Sequence, residues 1–188
     1  VAVLFGGRSS EHSVSCVSAS GVMRALDPQK YDVVAIGISQ AGHWFKMEAT
    51  TAFSMTGAQV PSVPESGEGA ALSPDLAVLK SQLGDIDVVF PVLHGPWGED
   101  GTVQGLLELA AIPYVGSGVL ASAAGMDKIT MKVLLAHAGL EVGRFMAVTD
   151  RQWLNEQDAC VDAIRALGYP VFVKPARAGS SRGISKVK

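Results

Sequence analysis

Short apolar runs alternate, over the first two thirds of the chain, with segments of helical period, the pattern of a parallel α/β sheet. Val1-Ala2-Val3-Leu4-Phe5 is continuously apolar and stops at Gly6-Gly7, which predicts a strand buried on both faces and feeding a turn. A helix is expected from there to Leu26, with Val14, Val17, Val22 and Ala25 on or near one side and Asp27-Pro28 ending it. Further strands are expected over 31–38, at an edge over 43–46, and over 87–92 and 112–115. Helices are expected over 72–83 and over the amphipathic stretch that contains Val103, Leu106, Leu107 and Ala110. Between 47 and 73 Ser, Thr, Gly and Pro take over without a period, so this stretch reads as a mobile surface segment with little chemistry.

The alternation ends near Gly116-Ser117-Gly118, and two domains are expected, 1–122 and 123–188. In the second, helices are predicted over 119–126 and 127–140, the latter with Ile129, Val133 and Ala136 at helical spacing. A strand over 144–148 follows, then a helix over 151–167 with Trp153, Leu154 and Ile164, closed by Gly168. A strand over 169–173 delivers Lys174 to a small, hydroxyl-rich loop, and 184–187 forms the return strand. Val1 begins inside one predicted strand and Lys188 ends inside another, so the chain is expected to be part of a longer protein.

Composition narrows the function. At 188 residues and 48% hydrophobic content the chain can bury a substantial core. Its net charge of −3, with 18% charged residues and no basic block, argues against nucleic acid as a partner. The two cysteines, Cys16 and Cys160, form no metal or disulfide pattern and fit a reducing compartment. Apolar runs are broken well short of the roughly 20 residues that cross a bilayer.

Four places concentrate candidate chemistry. In Gly6-Gly7-Arg8-Ser9-Ser10-Glu11-His12, Glu11 falls at the start of a helix and beside the end of a strand; it reads either as a helix-dipole partner or as a ligand group. The glycines do not spell the G-x-G-x-x-G fingerprint of hydride-transfer dinucleotide sites. The loop His94-Gly95-Pro96-Trp97-Gly98-Glu99-Asp100-Gly101 leaves another strand end; His94 is a site candidate or a loop-ordering histidine, while Glu99 and Asp100 read as caps. Lys128, at a helix start that disfavours a cation, is either solvated or serves an anion. Lys174, with Gly179, Ser180, Ser181 and Gly183, is either a phosphate clamp or a hairpin with a basic rim. His43 lacks a partner at metal-like spacing and reads as an exposed strand residue, while His137, near the end of a different helix, reads as solvated or dipole-paired.

Together these motifs, with Met126-Asp127-Lys128 and Val173-Lys174-Pro175, resemble the D-alanine-D-alanine ligase family in order and spacing over the whole chain apart from 47–73. The resemblance implies a parallel-sheet, Rossmann-like pre-ATP-grasp domain followed by the first part of an α+β ATP-grasp domain. It implies that ATP phosphorylates one D-alanine carboxylate and that the amine of a second D-alanine attacks the acyl phosphate. Glu11 would bind the first ammonium, and His94 would lie beside the acyl phosphate as charge stabiliser or proton acceptor. Lys128 and Lys174 would hold the ATP phosphates. The Gly179, Ser180, Ser181 and Gly183 loop would close as a lid, with Ser180 hydrogen-bonded toward Glu11. Magnesium, with manganese as an alternative, would be held by residues beyond Lys188, none being expected in this stretch. A cytoplasmic homodimer serving peptidoglycan synthesis is implied. Arg182 departs from the apolar residue usual in the lid. The alternatives are a D-alanine-D-lactate or D-alanine-D-serine ligase, another ATP-grasp ligase such as a carboxylase component, and a silent nucleotide-binding module.

Overall fold

In the computed structural model, which describes residues 1–48, 53, 61–65, 71–72, 81, 84 and 86–188, the leading apolar run becomes a strand buried on both faces. It is β1 (Ala2–Gly6), and it joins β2 (Val34–Ile38), β3 (Trp44–Met47), β4 (Ala71–Leu72) and β5 (Val89–Pro91) in the order β4-β3-β2-β1-β5. β1 runs parallel to both neighbours, with Leu4 opposite Ile36 and Pro91, while β2, β3 and β4 meander antiparallel to the far edge. Parallel pairing demands a crossover, and α1 (His12–Ala25) supplies it between β1 and β2. After β5 comes α2 (Thr102–Leu109).

The two-period of β1 divides the interior. Ala2 and Leu4 point into a core with Ile36, Val89, Leu93, Val103 and Leu107, on the α2 side. Val3 and Phe5 point into the other, with Cys16, Ala19, Met23, Ala35 and Val63, on the α1 side. Each large side chain so enclosed contributes about 1.5–3 kcal/mol relative to exposure.

The valines mark the inward face of α1 only in part, for Val22 packs against the core but most of the fully buried positions are small or polar. His12, Ser15, Cys16, Ala19, Ser20 and Met23 are buried, whereas Val14 is 51% exposed. Small residues let the helix approach the sheet, and their hydroxyls serve the backbone. Ser15 Oγ accepts the Gly6 N–H at 2.8 Å and donates to the Val92 carbonyl at 2.5 Å, which ties helix and two strand ends together. Burial pushes the Cys16 thiol up to about 11 and leaves it inert.

Two units compose the described chain, Val1–Ala123 and Ala124–Lys188. α3 (Val119–Met126) leads into α4 (Lys128–His137), α5 (Asp150–Asn155), α6 (Gln157–Arg165) and the antiparallel pair β6 (Val171–Val173) and β7 (Ser185–Val187). Asp127 is the N-cap of α4 rather than its first residue, accepting the N–H groups of Ile129 and Thr130. α5 starts from a capping box between Thr149 and Gln152.

Three expected elements are corrected. Residues 112–115 contribute only an isolated bridge between Tyr114 and Val89. No strand forms over 144–148, because among the described residues this stretch has no ladder partner and an apolar run alone does not make a strand. The helix over 151–167 is two helices, broken where Glu156 takes φ −138° and ψ 42°. The expected segment over 47–73 and helix over 72–83 fall mostly outside the described residues; Ala71–Leu72 is the described strand β4.

Replacing Ser15 by alanine leaves the Gly6 N–H and Val92 carbonyl buried without that partner. A loss of about 2–4 kcal/mol is expected in urea unfolding, against less than about 0.5 kcal/mol for Val14→Ala. Asp127 gives a pH signature. The Thr130 N–H foremost, then Arg177, stabilise its charge against opposing desolvation and bring its carboxyl down to about 2. A lowered folded value means stability that is present above the unfolded value and lost on acidification. The difference between the native protein and Asp127→Asn should therefore be full at pH 7 and shrink from about pH 4 toward pH 2, as followed by denaturant titration.

Candidate functional site

β2 lies on one side of β1 and β5 on the other, so the chain leaving β1 emerges at a topological switch point, where open α/β sheets receive ligands. Glycine is required in that turn. Gly6 has φ 87°, and a Cβ there would stand 2.3 Å from the Ile38 carbonyl oxygen. Past the turn, Ser9 Oγ donates to the His94 carbonyl at 2.6 Å and accepts the Glu11 N–H at 3.1 Å. One hydroxyl thereby joins the loops that follow β1 and β5.

Glu11 occupies the N-cap position of α1, yet its side chain makes no cap bond. Its carboxylate lies over Gly95 instead, with Oε2 2.6 Å from where a Cβ on that glycine would be. This weighs against a mere dipole partner. The His94 ring is held from α1 by Ser18, whose Oγ is 3.1 Å from Nε2. Glu11 and the His94 loop thus meet at one sheet end, from stretches more than 80 residues apart in sequence, as the 85-residue Ser9–His94 separation states.

The other polar groups of that loop maintain it. Glu99 accepts the Gly95 N–H at 2.7 Å; Asp100 accepts those of Trp97 at 2.8 Å and Thr102 at 3.0 Å. Burial opposes ionisation of Asp100, but these N–H donors outweigh it and hold its carboxyl below the usual range. Gln104 Nε2 donates to the Gly98 carbonyl at 2.9 Å. Trp97, at φ 67°, lies under the Arg8 guanidinium, 5.6 Å from its ring centroid. Ser9, Ser18 and Gln104 were not singled out from the sequence. For Ser9 the signal was present, a hydroxyl two residues before an acid at a helix start.

In the second unit the structure brings Lys128 to the root of the loop after β6. The Lys128 N–H donates to the Ala176 carbonyl at 3.0 Å, and its ammonium donates to the Ala178 carbonyl. Arg177 Nε pairs with Asp127 at 2.9 Å. Lys174 directly follows β6 and is exposed. The loop beyond turns through serines as much as glycine: φ is 47° at Ser180, 57° at Ser181 and 66° at Gly183. A left-handed conformation costs an L-residue about 1–2 kcal/mol, so the two serines hold a strained turn. Gly183 has no room for a side chain, since a Cβ would stand 2.8 Å from Pro175 Cγ.

His43 stands on the surface, 3.9 Å from Glu65, and His137 ends α4. Among the described residues no group of three or more His, Cys, Asp and Glu could hold a metal ion. No described helix is long and apolar enough to cross a membrane.

Comparison with known proteins bears on both units. The family model described as D-ala D-ala ligase N-terminus matches residues 1–117, and that described as D-ala D-ala ligase C-terminus matches 134–188. A D-alanine-D-alanine ligase of Paenarthrobacter aurescens is 54% identical, the match covering 100% of this chain and 52% of that protein. The structure of a D-alanine-D-alanine ligase from Coxiella burnetii superposes with a TM-score of 0.78 at 30% identity, over 100% of this chain and 56% of that one. A D-Ala:D-Ser ligase from Enterococcus faecalis gives 0.75 at 36% identity, over 98% and 54%. The chain spans about half the length of the curated relatives it matches. With the family model matched over 1–117, more than half of its length, the chain belongs to the D-ala D-ala ligase family.

Proposed function

We infer that this chain supplies the first-substrate site and the phosphate-binding loop of an ATP-dependent ligase that joins two D-alanines. The observation that carries the reading is the meeting of Glu11 with the His94 loop at the β1/β5 switch point, in a chain that matches the family models for both ends of such ligases. In this reading 1–122 is the substrate domain and 123–188 the start of the ATP-grasp domain.

The reaction sets the tasks. Phosphoryl transfer from ATP to a carboxylate demands positioning and charge neutralisation more than covalent help. Glu11 receives the ammonium of the first D-alanine, a charge-assisted contact of about 1.5–3 kcal/mol. His94, fixed by Ser18, stands beside the carboxylate that becomes the acyl phosphate and stabilises its charge. Lys128 and Lys174 hold the ATP phosphates, and the loop with Gly179, Ser180, Ser181 and Gly183 covers the transferring group and excludes water. Magnesium is the metal expected with ATP, and manganese its alternative. Among the described residues no group of three or more His, Cys, Asp and Glu could hold either. The same reading places the protein in a bacterial cytoplasm, as a homodimer supplying peptidoglycan precursors.

The likeness to a D-Ala:D-Ser ligase makes the second substrate the point to test. Phosphate release by the full-length gene product is expected with ATP, magnesium and D-alanine alone, with D-alanyl-D-alanine as the product mass. Release without D-alanine dependence, or mixed product in preference when D-serine or D-lactate is added, would overturn the assignment. Glu11→Gln should raise the D-alanine KM about tenfold or more and leave the ATP KM within about twofold. Lys174→Ala should lower kcat/KM for ATP by about 100-fold. Arg182→Val should raise the ATP KM if Arg182 adds a phosphate contact; an unchanged value assigns it to lid solvation alone.

A further inference from the structure

His12 follows Glu11 in sequence and is fully buried. The mechanism above does not use it. Both ring nitrogens are nevertheless engaged. Nδ1 is 2.7 Å from the Gly7 carbonyl, and Nε2 is 3.0 Å from the Val63 backbone nitrogen and 3.3 Å from Ser62 Oγ. A carbonyl only accepts and a backbone N–H only donates. Nδ1 must therefore carry the proton and Nε2 must offer its lone pair, which defines one neutral tautomer.

The clasp joins parts remote in sequence. Val63 is buried over the ends of β1 and β2, where a Cβ on Gly37 would stand 2.9 Å from Val63 Cγ1 and one on Gly6 3.0 Å from Val63 Cγ2 and from His12 Cε1. Glu65, in the same segment, accepts the Ala41 N–H at 3.2 Å. Gly7, on the other side of the ring, belongs to the turn that leads to Glu11.

We propose that His12 is a positioning residue: as the Nδ1–H imidazole it locks the 62–63 segment onto the Gly6-Gly7 turn and so fixes Glu11 for the substrate ammonium. The last clause rests on the role of Glu11 proposed above. The clasp itself does not.

The test uses the full-length gene product. Nitrogen-15 NMR of the histidine side chains should show His12 neutral and protonated at Nδ1, and an imidazolium or an Nε2–H tautomer would overturn the proposal. Hydrogen exchange at the Val63 amide should accelerate about tenfold or more in His12→Phe, which removes its acceptor; unchanged exchange would overturn the clasp whatever the enzyme's substrate. In kinetics, His12→Phe should raise the D-alanine KM roughly ten- to a hundredfold with the ATP KM unchanged, because a small misplacement of a binding group is enough. His12→Asn, which restores a donor near Nδ1, should recover part of that loss, and it serves alone if the Phe variant does not fold. Equal loss in both variants, or kcat falling with the D-alanine KM unmoved, would mark a merely structural histidine. Accelerated Val63 exchange in a protein whose phosphate release ignores D-alanine would uphold the clasp and sink the substrate reading instead.

Discussion

Burying β1 on both faces creates a polar problem at its carboxyl end, and the solution determines where a ligand can bind. The strand leaves the sheet between two parallel neighbours, so the backbone groups of its turn cannot reach water from below. Three of them are met from within: the Gly6 N–H by Ser15, the Gly7 N–H by the Ile38 carbonyl and the Gly7 carbonyl by His12. An unmet group there would cost about 1–3 kcal/mol, a large share of the margin that holds a domain folded. With these three groups satisfied, Ser9 and Glu11 face the neighbouring loop, and the candidate site is the outward side of the turn.

The same constraint explains what the sequence disclosed and what it concealed. The strands were legible because a parallel strand covered on both sides has to be continuously apolar, as 1–5 is. The buried face of α1 was legible only in part: Val22 packs against the core, but most of the fully buried positions carry small or hydroxyl side chains, which a hydrophobic period does not report. Glu11, His94, Lys128 and Lys174 stood out as charged or titratable groups at predicted strand or helix ends. Ser18 and His12 did not, since each acts through a partner 76 or 51 residues away, and no local period reports such a pairing. The run over 144–148 was misread for the opposite reason. Its composition suits a strand, but strand formation is decided by a partner that lies outside the pattern.

In the second unit, cation and helix are reconciled locally. A lysine opening α4 opposes the helix dipole, and Asp127, one residue earlier, compensates by capping two N–H groups and pairing with Arg177. The ammonium of Lys128 is then directed at a backbone carbonyl in the loop root rather than left to solvent. A carbonyl is a weak acceptor beside an ionised phosphate oxygen, and an ammonium has three donors. Under the proposed reading, nucleotide binding would compete for or add to this bond at the base of a turn already strained at Ser180 and Ser181. Strain of that size persists only where the surroundings over-determine it. Here they include the close approach of Pro175 to Gly183, which leaves no room for a Cβ there, and the Asp127–Arg177 and Lys128 bonds at the loop's root, so the loop is shaped by groups that lie outside its glycine-serine run.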